Sequence, residues 1–223
     1  GGCPMRAVAV LSMLVIFAAT SFGGPVFFED FEGYPNAAYG TVPGDPTISD
    51  TFGPWTVIRN TVDIHGPDWV DWLCSTPTNS CLDMSGSYSA ETSGAIQTII
   101  DFAPGYYVLS FVLGGSQRNL DPLWDSDNTL VVTLGSWMQS YTLPPEAPFR
   151  TVYSPRLYLE GPTLLILADA TMVPGSDPPQ FVNDAMGLLV DDIRIDLATP
   201  EPASVILLVL GAGLVALRRR VKA

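Results

Sequence analysis

Tyr107-Val-Leu-Ser-Phe-Val-Leu113 is the stretch that decides the fold, because large apolar side chains occupy every second position along it. A period of two places those side chains on one face of a β-strand, whereas a helix would scatter them. A second stretch, Val190-Asp-Asp-Ile-Arg-Ile-Asp196, has the same alternation. Both are predicted to be half-buried strands.

Similar short runs of β-branched and aromatic residues continue along the chain between Gly, Pro, Asn and Asp residues. No stretch outside the two ends has the sustained spacing of an amphipathic helix. This pattern predicts an all-β fold, a two-sheet sandwich of jelly-roll type. The predicted strands are 26–31, 55–59, 61–65, 81–84, 95–102, 106–114, 129–134, 139–143, 151–159, 163–168 and 188–197.

The amino-terminal end is predicted to be a signal peptide over residues 1–23. Residues 1–4 are interpreted as an over-extended start, since Met5-Arg6 supplies a basic segment and 7–17 an apolar segment of secretory length. Cleavage is expected after 19–21 or 21–23. The signal helix would engage the Sec translocon.

The carboxy-terminal end, residues 199–223, has three parts in a fixed order. Residues 203–217 carry no charge and would form a transmembrane helix of about 22 Å, short of the roughly 30 Å hydrocarbon core. The basic tail 218–222 marks the cytoplasmic side. The flanking motif residues are Pro200, Glu201 and Pro202 before the helix, and Arg218, Arg219 and Arg220 after it.

This tripartite end resembles the PEP-CTERM sorting signal of Gram-negative bacteria. The resemblance implies recognition by an exosortase, cleavage near Pro200–Pro202, and transient residence in the inner membrane. The remainder would then be delivered to the cell surface or outside the cell. A plain membrane anchor is the alternative.

The part predicted to be exported, residues 24–198, is strongly acidic. Setting aside the charged residues of the two ends leaves 5 basic and 22 acidic residues, a net charge of −17, with no lysine. Such a surface repels phosphate backbones and excludes nucleic-acid binding. It suits divalent cations.

Signatures of catalysis are missing from the sequence. The single histidine, His65, lies within a predicted strand, and no Gly-x-Ser-x-Gly elbow accompanies it. Gly211-Ala-Gly213 matches a dinucleotide fingerprint, but too little chain follows it for a βαβ unit. We therefore expect no catalytic residues and no enzyme activity.

A series of motifs along the exported part resembles the bacterial choice-of-anchor C domain, which is related to a galactose-binding-like domain of plant cell-wall proteins. The resemblance implies a galactose-binding-like β-sandwich without assigned catalysis; the loop 34–50 is longer than the family pattern. The motifs are Phe28-Glu-Asp-Phe-Glu-Gly33, Gly53-Pro-Trp-Thr-Val57, Val62-Asp-Ile-His65, Cys81-Leu-Asp-Met-Ser-Gly86, Gly94-Ala-Ile-Gln-Thr98, Gly105-Tyr-Tyr-Val-Leu-Ser-Phe111 and Leu189-Val-Asp-Asp-Ile-Arg-Ile195.

The same resemblance implies a structural calcium ion, held by Glu32 and Asp192, because these match the positions of calcium ligands in galactose-binding-like sandwiches. Carboxylate oxygens are the ligands that Ca²⁺ requires. A second calcium candidate is the acidic turn with Asp121, Asp125 and Asp127, for which a solvated surface turn is the alternative.

Cys74 and Cys81 are the only cysteines of the exported part. The six residues between them are turn-forming, and an oxidising periplasm favours a disulfide. Zinc binding is the alternative, although four soft ligands are normally needed.

Tryptophans outside the predicted strands are candidates for sugar stacking, while Trp55 is predicted to lie in the core. The glycan-binding candidates are Trp69, Trp72 and Trp124. Trp69 and Trp72 could instead pack down on the sandwich beside Cys74.

These observations lead to the expectation of an exported, non-catalytic protein of the cell surface or extracellular matrix, adhesive or associated with exopolysaccharide. A carbohydrate-binding module with a defined glycan ligand is the alternative, and a glycan-active hydrolase is a third.

Overall fold

A computed structural model of the chain describes residues 25–40, 48–67, 73–86, 93–117, 127–170 and 187–198. The fourteen strands of these segments run β1 (Phe27–Glu29), β2 (Ala37–Gly40), β3 (Thr51–Phe52), β4 (Trp55–Arg59), β5 (Thr61–His65), β6 (Cys81–Asp83), β7 (Ala95–Thr98), β8 (Gly105–Gly114), β9 (Asn128–Leu134), β10 (Trp137–Leu143), β11 (Arg150–Tyr153), β12 (Leu157–Leu159), β13 (Leu165–Asp169) and β14 (Leu189–Leu197).

The strands form two antiparallel sheets. The eight-stranded sheet has the order β11-β8-β14-β6-β5-β2, with β1 added on β14 and β12 on β8. The six-stranded sheet has the order β10-β9-β13-β7-β4-β3. The prediction of an all-β, two-sheet sandwich is confirmed.

The inner faces of both sheets share one hydrophobic core. On β8 the inward side chains are those expected from the alternation, Tyr107, Leu109, Phe111 and Leu113. Trp55 on β4 of the other sheet is fully buried, as predicted, and Phe27 meets it edge-on with ring centroids 5.6 Å apart. Residues 25–196 form one compact unit around this core.

The predicted strands match the observed ones closely, with three corrections, of which the first is the short strand β3, which was not predicted. The segment 151–159 is not one strand, because Pro155 has no N–H for a ladder and the chain breaks into β11 and β12 around it. The long loop 34–50 contains β2, which pairs with β5 through Ala37↔Ile64 to Gly40↔Thr61. The residues of β2 are mostly small, so the sequence shows no hydrophobic alternation there.

No helix in the described segments is long and apolar enough to cross a membrane. The predicted signal helix, the transmembrane helix 203–217 and the sorting motif Pro200–Pro202 lie outside the described residues.

The assignment of side chains to the shared core can be tested by mutation. Phe111→Ala removes a ring that is 1 % exposed and meets Tyr141 edge-on at 5.6 Å. We expect it to lower the free energy of unfolding by about 3–5 kcal/mol, since a cavity adds to the lost transfer energy. Urea denaturation measures this. The adjacent Val112→Ala, on the half-exposed outer face, should cost less than about 1 kcal/mol, and an equal cost for both would contradict the assigned faces.

Candidate functional site

The outer face of the eight-stranded sheet is buried over β5, β6 and the first residues of β14. On β5, Val62 and Ile64 enter the core, yet Thr61, Asp63 and His65 on the opposite face are buried as well. A small second apolar cluster lies on this outer face, formed by Leu73, Cys74, Cys81 and Leu189 with Phe149 beside them. This part of the sheet is therefore covered on both sides.

His65 and Asp83 meet within this buried region. The Nε2 atom of His65 lies 3.5 Å from Oδ2 of Asp83, and their side chains are 4 % and 1 % exposed. Asp63 stands directly opposite Asp83 in the strand register. The imidazole of His65 thus lies beside one of two carboxyl groups that stand opposite each other on neighbouring strands.

The second oxygen of Asp83 holds the backbone of two segments together. Its Oδ1 accepts the N–H of Ser85 at 2.9 Å and the N–H of Gly187 at 3.0 Å. A Cβ atom at Gly187 would lie only 2.6 Å from that oxygen, so glycine is needed for this close approach. Asp83 thus links β6 to the segment that precedes β14 inside the protein.

The predicted disulfide between Cys74 and Cys81 is confirmed. Cys81 begins β6 and pairs with His65 of β5, so the bond ties the intervening loop to the edge of the buried polar region. The six enclosed residues end in Asn79 and Ser80, whose N–H groups point to two carboxylates.

Asp191 is one of those carboxylates, and it is fully buried. Asn79 donates from Nδ2 to its Oδ2 at 2.9 Å, and the backbone N–H of Asp192 donates to its Oδ1 at 2.7 Å. Burial is the main cause that raises the pKa of Asp191 to about 7; the charges of Asp192 and Glu32 act in the same direction, and the two hydrogen bonds act against it.

Glu32 is the other carboxylate, and the turn that follows β1 positions it. Buried Glu29 folds this turn by accepting the N–H of Phe31 and the O–H of Tyr34, each at 2.9 Å. Burial and the Glu29 hydrogen bond raise the pKa of the Tyr34 phenol. At the end of the turn, Oε1 of Glu32 accepts the N–H of Ser80 at 2.7 Å.

The structure places Glu32 and Asp192, the two residues of the first predicted calcium site, in different surroundings. Asp192 has a φ of 47° and its side chain is exposed, whereas its neighbour Asp191 occupies the buried position. N–H donors already meet the oxygens of Glu32 and Asp191, and calcium needs six to eight oxygen ligands. In the described segments no three His, Cys, Asp or Glu side chains form a metal-binding group. The calcium site at Glu32 and Asp192 therefore stays a prediction.

The second calcium candidate stays a prediction, because Asp121 and Asp125 lie outside the described residues. Asp127 is described and is exposed just before β9. The proposed glycan-binding residues Trp69, Trp72 and Trp124 also lie outside the described residues.

The same outer face is open over β8 and β12, where it carries exposed tyrosines. Tyr158 pairs in register with Tyr106, and their rings lie 4.8 Å apart at 47°. The rings belong to side chains 55 % and 48 % exposed, and the guanidinium carbon of Arg156 lies 4.2 Å from the Tyr106 ring centroid. Tyr153, 69 % exposed, stands opposite Ser110 farther along β8.

Sequence reasoning missed this tyrosine surface, although a signal was present. If Tyr107 faces the core, Tyr106 must face outwards, because neighbouring residues of a strand point to opposite sides. The contact between Tyr106 and Tyr158 could not be predicted from the sequence, since it depends on which strand pairs with β8.

No protein-family model and no curated protein matches this chain. Among solved structures, it is similar to the CBM22-2 xylan-binding domain of Xyn10C from Paenibacillus barcinonensis, with 13 % identity over 77 % of this chain and 99 % of that domain, at a TM-score of 0.47. TmCBM61 in complex with β-1,4-galactotriose is similar at 12 % identity over 66 % of this chain and 91 % of that one, with a TM-score of 0.38.

A third similar structure is the enzymatically active domain of tailspike protein 4 from bacteriophage CBA120, at 10 % identity and a TM-score of 0.39. The match covers 66 % of this chain but only 20 % of the tailspike chain. With identities and scores this low, these likenesses carry no argument about a ligand or an activity.

The raised pKa of Asp191 predicts a specific pH dependence of stability. Between pH 3.8 and about 7 the folded protein keeps a proton on Asp191 that the unfolded chain releases, so this residue's contribution to stability falls as the pH rises through that window. We therefore expect the stability of Asp191→Asn relative to the unaltered protein to increase from pH 4 to pH 7. Urea denaturation at several pH values measures it.

The exposed Asp101 provides the control, because Asp101→Asn should shift stability by a similar amount at every pH in this window. A pH-independent difference for Asp191→Asn would show that the buried carboxyl ionises as readily as in the unfolded chain.

Proposed function

We propose that residues 24–198 form a non-catalytic, polysaccharide-binding domain of the cell surface or extracellular matrix. The observation that carries this proposal is the exposed pair Tyr106 and Tyr158, with Arg156 beside it, on the open part of the eight-stranded sheet. Tyrosine rings offer flat apolar faces to the CH groups of a sugar, and their hydroxyls can exchange hydrogen bonds with sugar hydroxyls.

The spacing of the tyrosines favours an extended ligand. Tyr158 stands opposite Tyr106, and Tyr153 stands opposite Ser110, four residues farther along β8. At about 3.4 Å per residue, these positions lie about 13 Å apart on one face. A polymer contacts both positions at once, whereas a single sugar ring reaches only one.

Burial of the ionisable cluster supports a binding role without catalysis. His65 is 3 % exposed and Asp83 is fully buried, and Asp83 is held by two backbone N–H groups. A general acid or base must come within hydrogen-bonding reach of its substrate, and these two residues have almost no exposed surface to offer. The hydrolase alternative therefore gains no support from the described residues.

The sorting route remains part of the proposal. The order of Pro200-Glu201-Pro202, the apolar segment 203–217 and the arginines 218–220 supports export with removal of the carboxy-terminal segment by an exosortase. The two prolines favour an extended backbone, the form in which a peptide fits a processing enzyme.

Binding by the tyrosine surface is tested with a glycan array, followed by affinity gels containing the polysaccharides retained. We expect Tyr106→Ala and Tyr158→Ala each to weaken retention about fivefold, which corresponds to about 1 kcal/mol per lost ring contact. Tyr158→Phe keeps the ring and should retain most of the affinity.

Ile58→Ala is the matched control, because Ile58 is 45 % exposed on the other sheet. Polysaccharide retention that is unchanged in Tyr106→Ala and Tyr158→Ala, or equally weakened in Ile58→Ala, would exclude the tyrosine surface as the binding site.

Processing is tested by mass spectrometry of the mature protein from a host with an active exosortase. We expect a product that ends close to Pro200–Pro202 and lacks residues 203–223. A mature product that keeps residues 203–223 would identify the carboxy-terminal segment as a permanent anchor.

A further inference from the structure

The strand β10 forms a long open edge of the six-stranded sheet. It pairs with β9 on one side through seven consecutive residue pairs, from Trp137↔Leu134 to Leu143↔Asn128. Within the described segments, no strand pairs with its other side. The opposite edge of the same sheet, β3, is only two residues long.

The hairpin turn determines which backbone groups of β10 point away from the sheet. Gly135 and Ser136 make a two-residue turn, and the φ of 64° at Gly135 is the one a type II′ turn requires. A two-residue hairpin closes on a hydrogen-bonded pair, here Leu134 and Trp137. Every second residue from Trp137 therefore bonds to β9, and the residues between direct their N–H and C=O groups outwards. The outward residues are Met138, Ser140 and Thr142.

This edge lacks the usual protections against pairing with another strand. β10 contains no charged residue and no proline, and its register with β9 has no bulge. Met138 is 68 % exposed, so nothing packs over it. Among the described residues, the side-chain amide of Gln139 caps this edge by donating to the carbonyl oxygen of Ser140 at 3.0 Å. A strand N–H can replace that donor.

Charge limits where two copies of this protein can meet. A net charge of −17 on residues 24–198 makes most surface contacts between copies repulsive. The outer-face side chains of β9, β10 and β13 are all uncharged. They are Thr129, Val131, Thr133, Met138, Ser140, Thr142, Ile166 and Ala168.

We propose that β10 pairs with β10 of a second copy of the chain, antiparallel and about a two-fold axis at Ser140. Ser140 then faces Ser140 of the second copy as a hydrogen-bonded pair, and Met138 faces Thr142 of the second copy. The two six-stranded sheets join into one continuous sheet. The two-fold arrangement uses both edges at once, so it closes at the dimer and does not extend into a fibre.

Cysteine cross-linking tests the register directly. Hydrogen-bonded antiparallel partners have Cα atoms about 5.5 Å apart, within the range that a disulfide spans. We expect full-length Ser140→Cys, made together with Cys3→Ser as is its control, to form a covalent dimer under mild oxidation, since Cys74 and Cys81 are already paired with each other. Thr56→Cys, on β4 at the far side of the same sheet, should stay uncross-linked.

Sedimentation velocity of the full chain without added cysteines measures the non-covalent dimer. Ser140→Pro removes an outward N–H and leaves the bonds to β9 intact, and we expect it to raise the dimer dissociation constant at least tenfold. Met138→Lys places charges at the interface with no backbone change and should act in the same direction. Thr56→Lys, which puts the same charge on β4, should leave the dimer intact.

A monomer at all concentrations would overturn the proposal. Association through the apolar end segments would overturn it as well, and it has its own signature: Ser140→Pro and Met138→Lys would sediment as the unaltered chain does, and Ser140→Cys would form no covalent dimer.

Discussion

The structure depends on one constraint, the burial of one face of each sheet in a shared core. Strand alternation then commits every second side chain to that core and every other one to an outer face. On β8 the inward residues are large and apolar, and Trp55 fills the same space from the opposite sheet. What the protein presents to its surroundings is therefore limited to the remaining half of each strand.

The outer face of the eight-stranded sheet has two parts with different physical roles. Over β5, β6 and the start of β14 it is buried, and the carboxylates there accept hydrogen bonds from Asn79 and from backbone N–H groups. A buried carboxyl group is tolerated when it is hydrogen-bonded or when its pKa is raised, and Asp191 accepts two hydrogen bonds and has a raised pKa. Over β8 and β12 the face is open, and the side chains of Tyr106 and Tyr158 there are about half exposed.

The Cys74–Cys81 loop supplies hydrogen-bond donors to two acidic side chains. Asn79 and Ser80 reach Asp191 of β14 and Glu32 of the first turn, two acidic groups that would otherwise repel each other. The disulfide encloses the six-residue loop that carries both donors.

Much of the fold could be predicted from the sequence, because the alternation of apolar and polar residues along a strand can be recognised without knowing which strands pair with it. It predicted the two strands first quoted, the buried Trp55 and the all-β class, and the scarcity of cysteines predicted the disulfide. Strand β2 escaped prediction because Ala37 and Gly40 carry too little apolar surface to reveal a period.

The candidate site was decided by tertiary structure. The positive φ of Asp192 shifts the phase of β14, so that Val190 and Ile193 both enter the core and Asp191 lies beneath the Asn79 loop. Likewise, Tyr106 meets Tyr158 only because β12 returns to pair with β8 across a separation that no sequence period encodes.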